Sequence, residues 1–186
     1  LLPALLCSLL AGCGSSKPEF KGVDITGANY GRTLQLPDSN GKLRSLEEFK
    51  GKFVLLFFGF TQCPDVCPTA LTRAQEVKQQ LGKDGERLQV LFVSVDPERD
   101  TPALLGNYLA AFDGSFIGLR GDAEQTRQAA AEFKVFYEKV PTGSSHTINH
   151  TAMSYLFDAQ GRLRLALRHT QTAEDYVADL RLLMRE

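Results

Sequence analysis

Three observations predict an α/β domain with a central mixed β-sheet flanked by helices. Two segments, "KFVLLFFGF" (52–60) and "LQVLFVSV" (88–95), are apolar at nearly every position, as expected of strands buried on both faces. Each is followed by a stretch that favours helix. The chain then closes with two strand-like runs and a final helix, so a βαβ half precedes a ββα half. That order of elements is the thioredoxin-like plan.

The elements follow from local chemistry. "TLQL" and "KLRSL" flank "PDSNG", whose turn residues predict an N-terminal β-hairpin. Ser45, with Glu48 three residues later, predicts a capping box on a short helix. From Pro68 to about Lys83 the residues favour helix, with Leu71, Ala74, Val77, Lys78 and Leu81 near one side. Thr101 before Pro102 predicts a helix start, with Thr101 as N-cap and Pro102 in the first position. Asp122 caps "AEQTRQAAAEF", and Thr172 caps "AEDYVADLRLLM". "VFYEKV" reads as a strand, and "MSYLFD" and "RLRLAL" as strands joined by "DAQG". No internal repeat is present.

Composition narrows the class. The chain has 186 residues, 43% hydrophobic and 23% charged, enough for one ordinary globular core. Lys plus Arg (21) nearly balances Asp plus Glu (22), which argues against a nucleic-acid partner.

The first residues, "LLPALLCSLLAGCGSS", form an apolar run ending in small residues. The run is shorter than the roughly 20 apolar residues of a membrane span and has the length of a signal-peptide core, here without its front. Leu10-Ala11-Gly12-Cys13 resembles the lipobox of bacterial lipoproteins, and this resemblance implies cleavage before Cys13 and lipidation of its thiol. An ordinary signal peptide with an incidental cysteine is the alternative. Residues 1–12 are thus read as a signal peptide and 13–31 as lipidated Cys13 and a Gly/Ser/Pro tether. Residues 32–186 are read as the domain. Lipidation would tether it in the cell envelope, on a periplasmic or other extracytoplasmic face, where a monomer is the default expectation.

Of the four cysteines, Cys7 leaves with the signal and Cys13 takes the lipid, so Cys63 and Cys67 remain. They lie in "FGFTQCPDVCPTAL", at the carboxyl end of the first buried strand, where α/β domains carry functional loops. Pro68 disfavours a deep helical position, so the helix is expected to begin at Pro68 with Cys67 near its N-cap. Amides at a helix start favour a thiolate, which suits disulfide exchange and metal ligation alike. A structural disulfide across three intervening residues would close too small a loop to stabilise much. Thioredoxin-type oxidoreductases have two intervening residues. Three give a wider bite, suited to one soft ion such as Cu(I), Zn or the iron of a cluster. Two sulfurs under-fill such a site and call for a third ligand.

Among His146, His150 and His169, the best candidate is His150, because it enters a strand expected beside the cysteine helix. His146 is second and reads more readily as a solvated loop residue; His169 reads as surface. Asp65 and Asp96 are nearby carboxylates, Asp96 being either site-facing or a turn residue with Pro97.

"FGFTQCPDVCPTAL", "LFVSVDPERDTP" and "INHTAMSYLFDAQGRL" together resemble, in order and spacing, three signature blocks of the Sco/SenC family, over roughly residues 20 to 186. The resemblance implies a membrane-tethered, thioredoxin-like copper protein. Its role would be assembly of the CuA centre of cytochrome c oxidase, with Cys63, Cys67 and His150 as ligands of Cu(I), Cu(II) or both. The implied partners are the oxidase subunit carrying CuA and a copper donor or thiol reductant. Asn149 stands where the family commonly has Asp, which removes a negative group beside the ligand. The rival reading is a thiol–disulfide oxidoreductase that uses Cys63 and Cys67 as a redox pair to reduce the oxidase cysteines before metallation. A thiol peroxidase, with Thr61 near Cys63, is a third.

Overall fold

The structure is a computed structural model that describes residues 19–186. The signal, lipobox and Cys13 readings lie outside the described residues.

The main sheet has six strands in the order β1-β10-β9-β4-β5-β6. These are β1 (Val23–Asp24), β4 (Phe53–Gly59), β5 (Leu88–Ser94), β6 (Ile117–Leu119), β9 (Met153–Phe157) and β10 (Leu163–Arg168). β4, β5 and β6 run parallel, whereas β9 is antiparallel to β4, and β10 to β9. Two hairpins stand apart, β2 (Gln35–Pro37) with β3 (Leu43–Ser45) and β7 (Tyr137–Thr142) with β8 (Ser145–His150). The helices are α1 (Val66–Leu81), α2 (Pro102–Ala110), α3 (Ala123–Glu132) and α4 (Ala173–Leu183), with α1 packed on α4. The expected mixed α/β architecture, N-terminal hairpin included, is therefore present.

Every residue of β4 and β5 is buried, which explains their unbroken apolar sequence. Successive side chains of a strand point to opposite faces. Phe57 turns to one face and meets Phe92, which in turn meets Tyr108 of α2. Phe58 turns to the other and meets Phe133 at the end of α3. Each such buried side chain contributes roughly 1.5–3 kcal/mol of transfer free energy.

The N-cap expectations for α2, α3 and α4 hold: Thr101, Asp122 and Thr172 each accept a backbone N–H, with full capping boxes on α3 and α4. The Ser45–Glu48 box does not form. Ser45 makes no side-chain cap bond, and Leu46–Phe49 is a 3-10 turn. Glu48 is engaged instead by Lys42 and Arg44, six and four residues before it.

The tether boundary at residue 31 also shifts. β1 pairs with β10, and the buried Asp179 carboxylate accepts the amides of Lys21 (2.7 Å) and Gly22 (2.8 Å). The domain therefore starts ahead of residue 32, because α4 offers a carboxylate to otherwise unpaired edge amides.

Besides β1, two further strands carried no sequence signal. β6 has three residues. β8, "SHTINH", buries only Ile148, since its hairpin lies off the sheet with polar residues outward. Gly143, at φ +61°, takes the left-handed position in the two-residue turn joining β7 to β8.

Replacing Leu91, fully buried at the sheet centre, by Ala is expected to cost roughly 2–5 kcal/mol. Urea unfolding should show a lowered midpoint with an unchanged slope.

Candidate metal centre

The site is assembled at the carboxyl end of β4. Beyond Gly59 the chain turns, with the Cys63 amide bonded to the Phe60 carbonyl at 3.2 Å, and enters α1. α1 begins at Val66, two residues earlier than the sequence predicted. Cys67 and Pro68 are its second and third residues. Pro68 is tolerated because first-turn amides have no intrahelical partner, so its missing N–H costs nothing.

Gly59 is what lets this helix start approach the sheet. A Cβ there would lie 2.7 Å from Cys67 Sγ and 2.8 Å from the Phe92 ring. Cys67 is thus buried against the strand end, while Cys63 stays half-buried at the rim; both are free thiols.

His150, the last residue of β8, brings its ring to the pair. Its Nε2 lies 3.6 Å from Cys67 Sγ, and its Nδ1 lies 3.2 Å from the Thr151 carbonyl. A carbonyl can only accept, so Nδ1 carries the proton and the Nε2 lone pair faces the sulfurs. The ring is wedged edge-on between Phe57 (6.0 Å) and Phe60 (5.9 Å). Both Sγ atoms and the imidazole nitrogen lie within 4.8 Å of one another. Two thiols and one imidazole form a donor set for a soft ion.

The thiols are electrostatically unequal. Cys63 is held well below the ordinary thiol range, first by the hydrogen bond from the Cys67 side chain, then by the Asp65 and Cys67 amides, against the opposing effect of burial. Cys67 is pushed up because it holds the shared proton towards Cys63 and is buried. Of the two, Cys63 is therefore the readier thiolate.

The remaining candidates separate. Asp65 is exposed at the N-cap of α1 and makes no side-chain cap bond. Asp96 is fully buried and ion-paired to Arg99 at 2.5 Å, as an anchor within the turn after β5. His146 is not a solvated loop residue: it is half-buried in β8 with Nε2 3.4 Å from Asp96. It forms a second, oxygen-rich group with Asp96 and Glu98. His169 is partly buried, away from the site, with a buried Nδ1 that has no hydrogen-bond partner among the described residues. Asn149 is exposed, on the face of β8 opposite Ile148 and His150, so its exchange for Asp alters the outside of the hairpin.

Asp100 was not singled out in the sequence. It is fully buried and accepts the hydroxyls of Thr61 and Ser94, each at 2.6 Å, and the Thr61 amide at 3.3 Å. Burial raises its pKa, and these hydrogen bonds oppose the rise. Asp100 thereby pins the loop that leads to Cys63. Thr61, tied to Asp100, is not directed at Cys63 as the peroxidase reading would need. The only available signal was its place in "LFVSVDPERDTP", since nothing local reveals that Asp100 is buried.

The sequence model described as SCO1/SenC matches residues 23–185. The chain is 36% identical over 173 residues to the "SCO2-like protein" of Rickettsia felis, covering 85% of this chain and 84% of the relative. It resembles the structure of Bradyrhizobium japonicum ScoI with copper bound, at TM-score 0.74 and 43% identity, covering 81% of this chain and 97% of that one. It also resembles the solution structures of apo Sco1 from Thermus thermophilus, at TM-score 0.77 and 40% identity, with 89% and 97% covered.

Two outcomes are expected. Iodoacetamide at neutral pH should label Cys63 before Cys67, as read by peptide mapping. The Cys63 rate should stay nearly flat as pH falls through neutrality, where an ordinary thiol slows about tenfold per pH unit. Gly59→Ala should push the Cys67 sulfur away from the strand and weaken Cu(I) binding at least tenfold, measured by competition with a chromophoric chelator.

Proposed function

Because this chain belongs to the SCO1/SenC family, we propose that it is a copper carrier serving assembly of the CuA centre of cytochrome c oxidase. One copper ion is the cargo, and Cys63, Cys67 and His150 are its ligands. The observation that carries this reading is the convergence of two free sulfurs and an oriented imidazole nitrogen within 4.8 Å. Soft thiolates select Cu(I), and the imidazole also suits Cu(II), so the donor set serves both oxidation states.

The residues divide the work. Loading displaces the proton that Cys67 holds, so both sulfurs become thiolate donors. The ring of His150, held by the Thr151 carbonyl and two phenylalanines, completes the set at little cost in ordering. Cys63 stands at the rim, where an incoming thiolate of the acceptor subunit can exchange against it. Cys67 and His150 hold the ion from behind until the acceptor supplies further ligands. The sequence around Cys13 supports a lipid anchor on the extracytoplasmic face, which keeps the carrier beside a membrane oxidase. No helix of the described residues is long and apolar enough to cross a membrane.

The inequality of the thiols favours a second reading, reduction of the acceptor's disulfide. The Cys63 thiolate attacks one acceptor sulfur and expels the other as a thiolate. Cys67, on losing its proton, attacks Cys63 Sγ, releases the first acceptor sulfur and leaves a Cys63–Cys67 disulfide. Two electrons pass to the acceptor.

His150→Ala separates the two. It is expected to weaken Cu(I) about 100-fold, with only sulfur ligation left in X-ray absorption, while exchange with a small dithiol stays within a few-fold of wild type. Unchanged copper affinity in this variant would sink the three-ligand site.

A further inference from the structure

The third ligand rides on a hairpin that has no strand pairing with the main sheet, so its distance from the sulfurs rests on the two-residue link to β9, on Phe57 and Phe60, and on contacts at the far end of β8. We infer that Arg99 is the positioning residue that sets this distance, by tying the strand of His150 to the loop of Cys63. This inference rests on the copper-carrier reading.

Arg99 lies in the turn 96–100 after β5 with its side chain 18% exposed. Its Nε is paired with the buried Asp96, which fixes the guanidinium to the sheet end. Its Nη1 then reaches two separate segments. On one side it donates to Gln62 Oε1 (3.1 Å), the neighbour of Cys63. On the other it donates to the His146 carbonyl (2.7 Å) and Ser145 Oγ (3.2 Å) at the start of β8. The guanidinium also sits 5.9 Å from the centroid of Phe60, one of the two rings against the His150 imidazole. No point charge could reproduce this set, whereas a planar fork can.

Geometry explains how an anchor at residue 146 acts at residue 150. His146, Ile148 and His150 alternate along one face of β8, the face turned to the domain, with Ile148 buried. A strand spans about 13 Å over four residues and is stiff when paired. With Arg99 and Asp96 holding one end and Ile148 seated in the core, the ring at the other end is aimed. Releasing Arg99 frees the hairpin to pivot about Ile148 and lets the imidazole leave the sulfurs. Beside the His146–Asp96 contact, the ion pair of Lys139 with Glu98 joins the two segments through side chains 42% and 63% exposed, where ion pairs hold weakly.

The test uses Cu(I)-loaded protein and X-ray absorption, with affinity by chelator competition and amide hydrogen exchange of β8. Arg99→Met is expected to keep two sulfurs, lose the imidazole nitrogen, weaken Cu(I) about 100-fold as His150→Ala does, and speed exchange in β8. Because Arg99→Met strands the buried Asp96 charge, Asp96→Asn/Arg99→Met removes both partners and should show the same loss in a folded domain. Glu98→Gln should match wild type. Full imidazole ligation in the folded double variant overturns the role of Arg99 and leaves the carrier reading intact. Imidazole loss in Glu98→Gln overturns its specificity. Wild-type protein without imidazole ligation overturns the carrier site and this inference together.

Discussion

The site depends on one constraint: β4 is buried on both faces between β9 and β5, so its carboxyl end cannot move. The chain must leave the sheet at Gly59 and begin a helix at once. With no side chain at 59, the helix start settles directly on the strand end and Cys67 is sealed beneath the surface. Cys63, still on the turn, remains at the rim. One buried and one accessible sulfur follow from that geometry. Their unequal protonation follows in turn, since burial opposes charge on Cys67 while donors converge on Cys63.

The turn 96–100 is the second organising element. Being at the carboxyl end of the neighbouring parallel strand, it lies beside the cysteine loop. Asp100 collects Thr61 and Ser94, and Arg99 collects Gln62 and the start of β8. Short polar contacts from one turn thus hold the loop of the sulfurs and reach the hairpin of the imidazole. A buried carboxylate such as Asp100 is stable there only because its oxygens are occupied by donors. The phenylalanines at 57 and 60 serve the sheet core and clasp the imidazole with the same rings.

Much of this was legible from residues 52–60, 63–68 and 88–95. Unbroken apolar runs can only be inner strands, and cysteines between such a strand and a helix can only lie at its carboxyl end. The helix caps at Thr101, Asp122 and Thr172 were legible because capping is local chemistry. The Ser45 box failed because Lys42 and Arg44, just ahead in the same stretch, claim Glu48. β8 was illegible because a polar hairpin off the sheet leaves no periodic apolar mark. For the same reason His146 read as solvated, although a buried carboxylate waits for it.

What the sequence determined by itself was the inner strands of the sheet, the cysteine pair and the need for a third soft-metal donor, with His150 as its first candidate. These are set by patterns within a few residues, where side-chain type and spacing decide. The approach of His150 to the sulfurs, the burial of Asp96 and Asp100, and the reach of Arg99 between two segments were decided by the tertiary structure. They depend on distances between residues 37 to 83 apart in the chain, and only the packing of a closed core sets those distances.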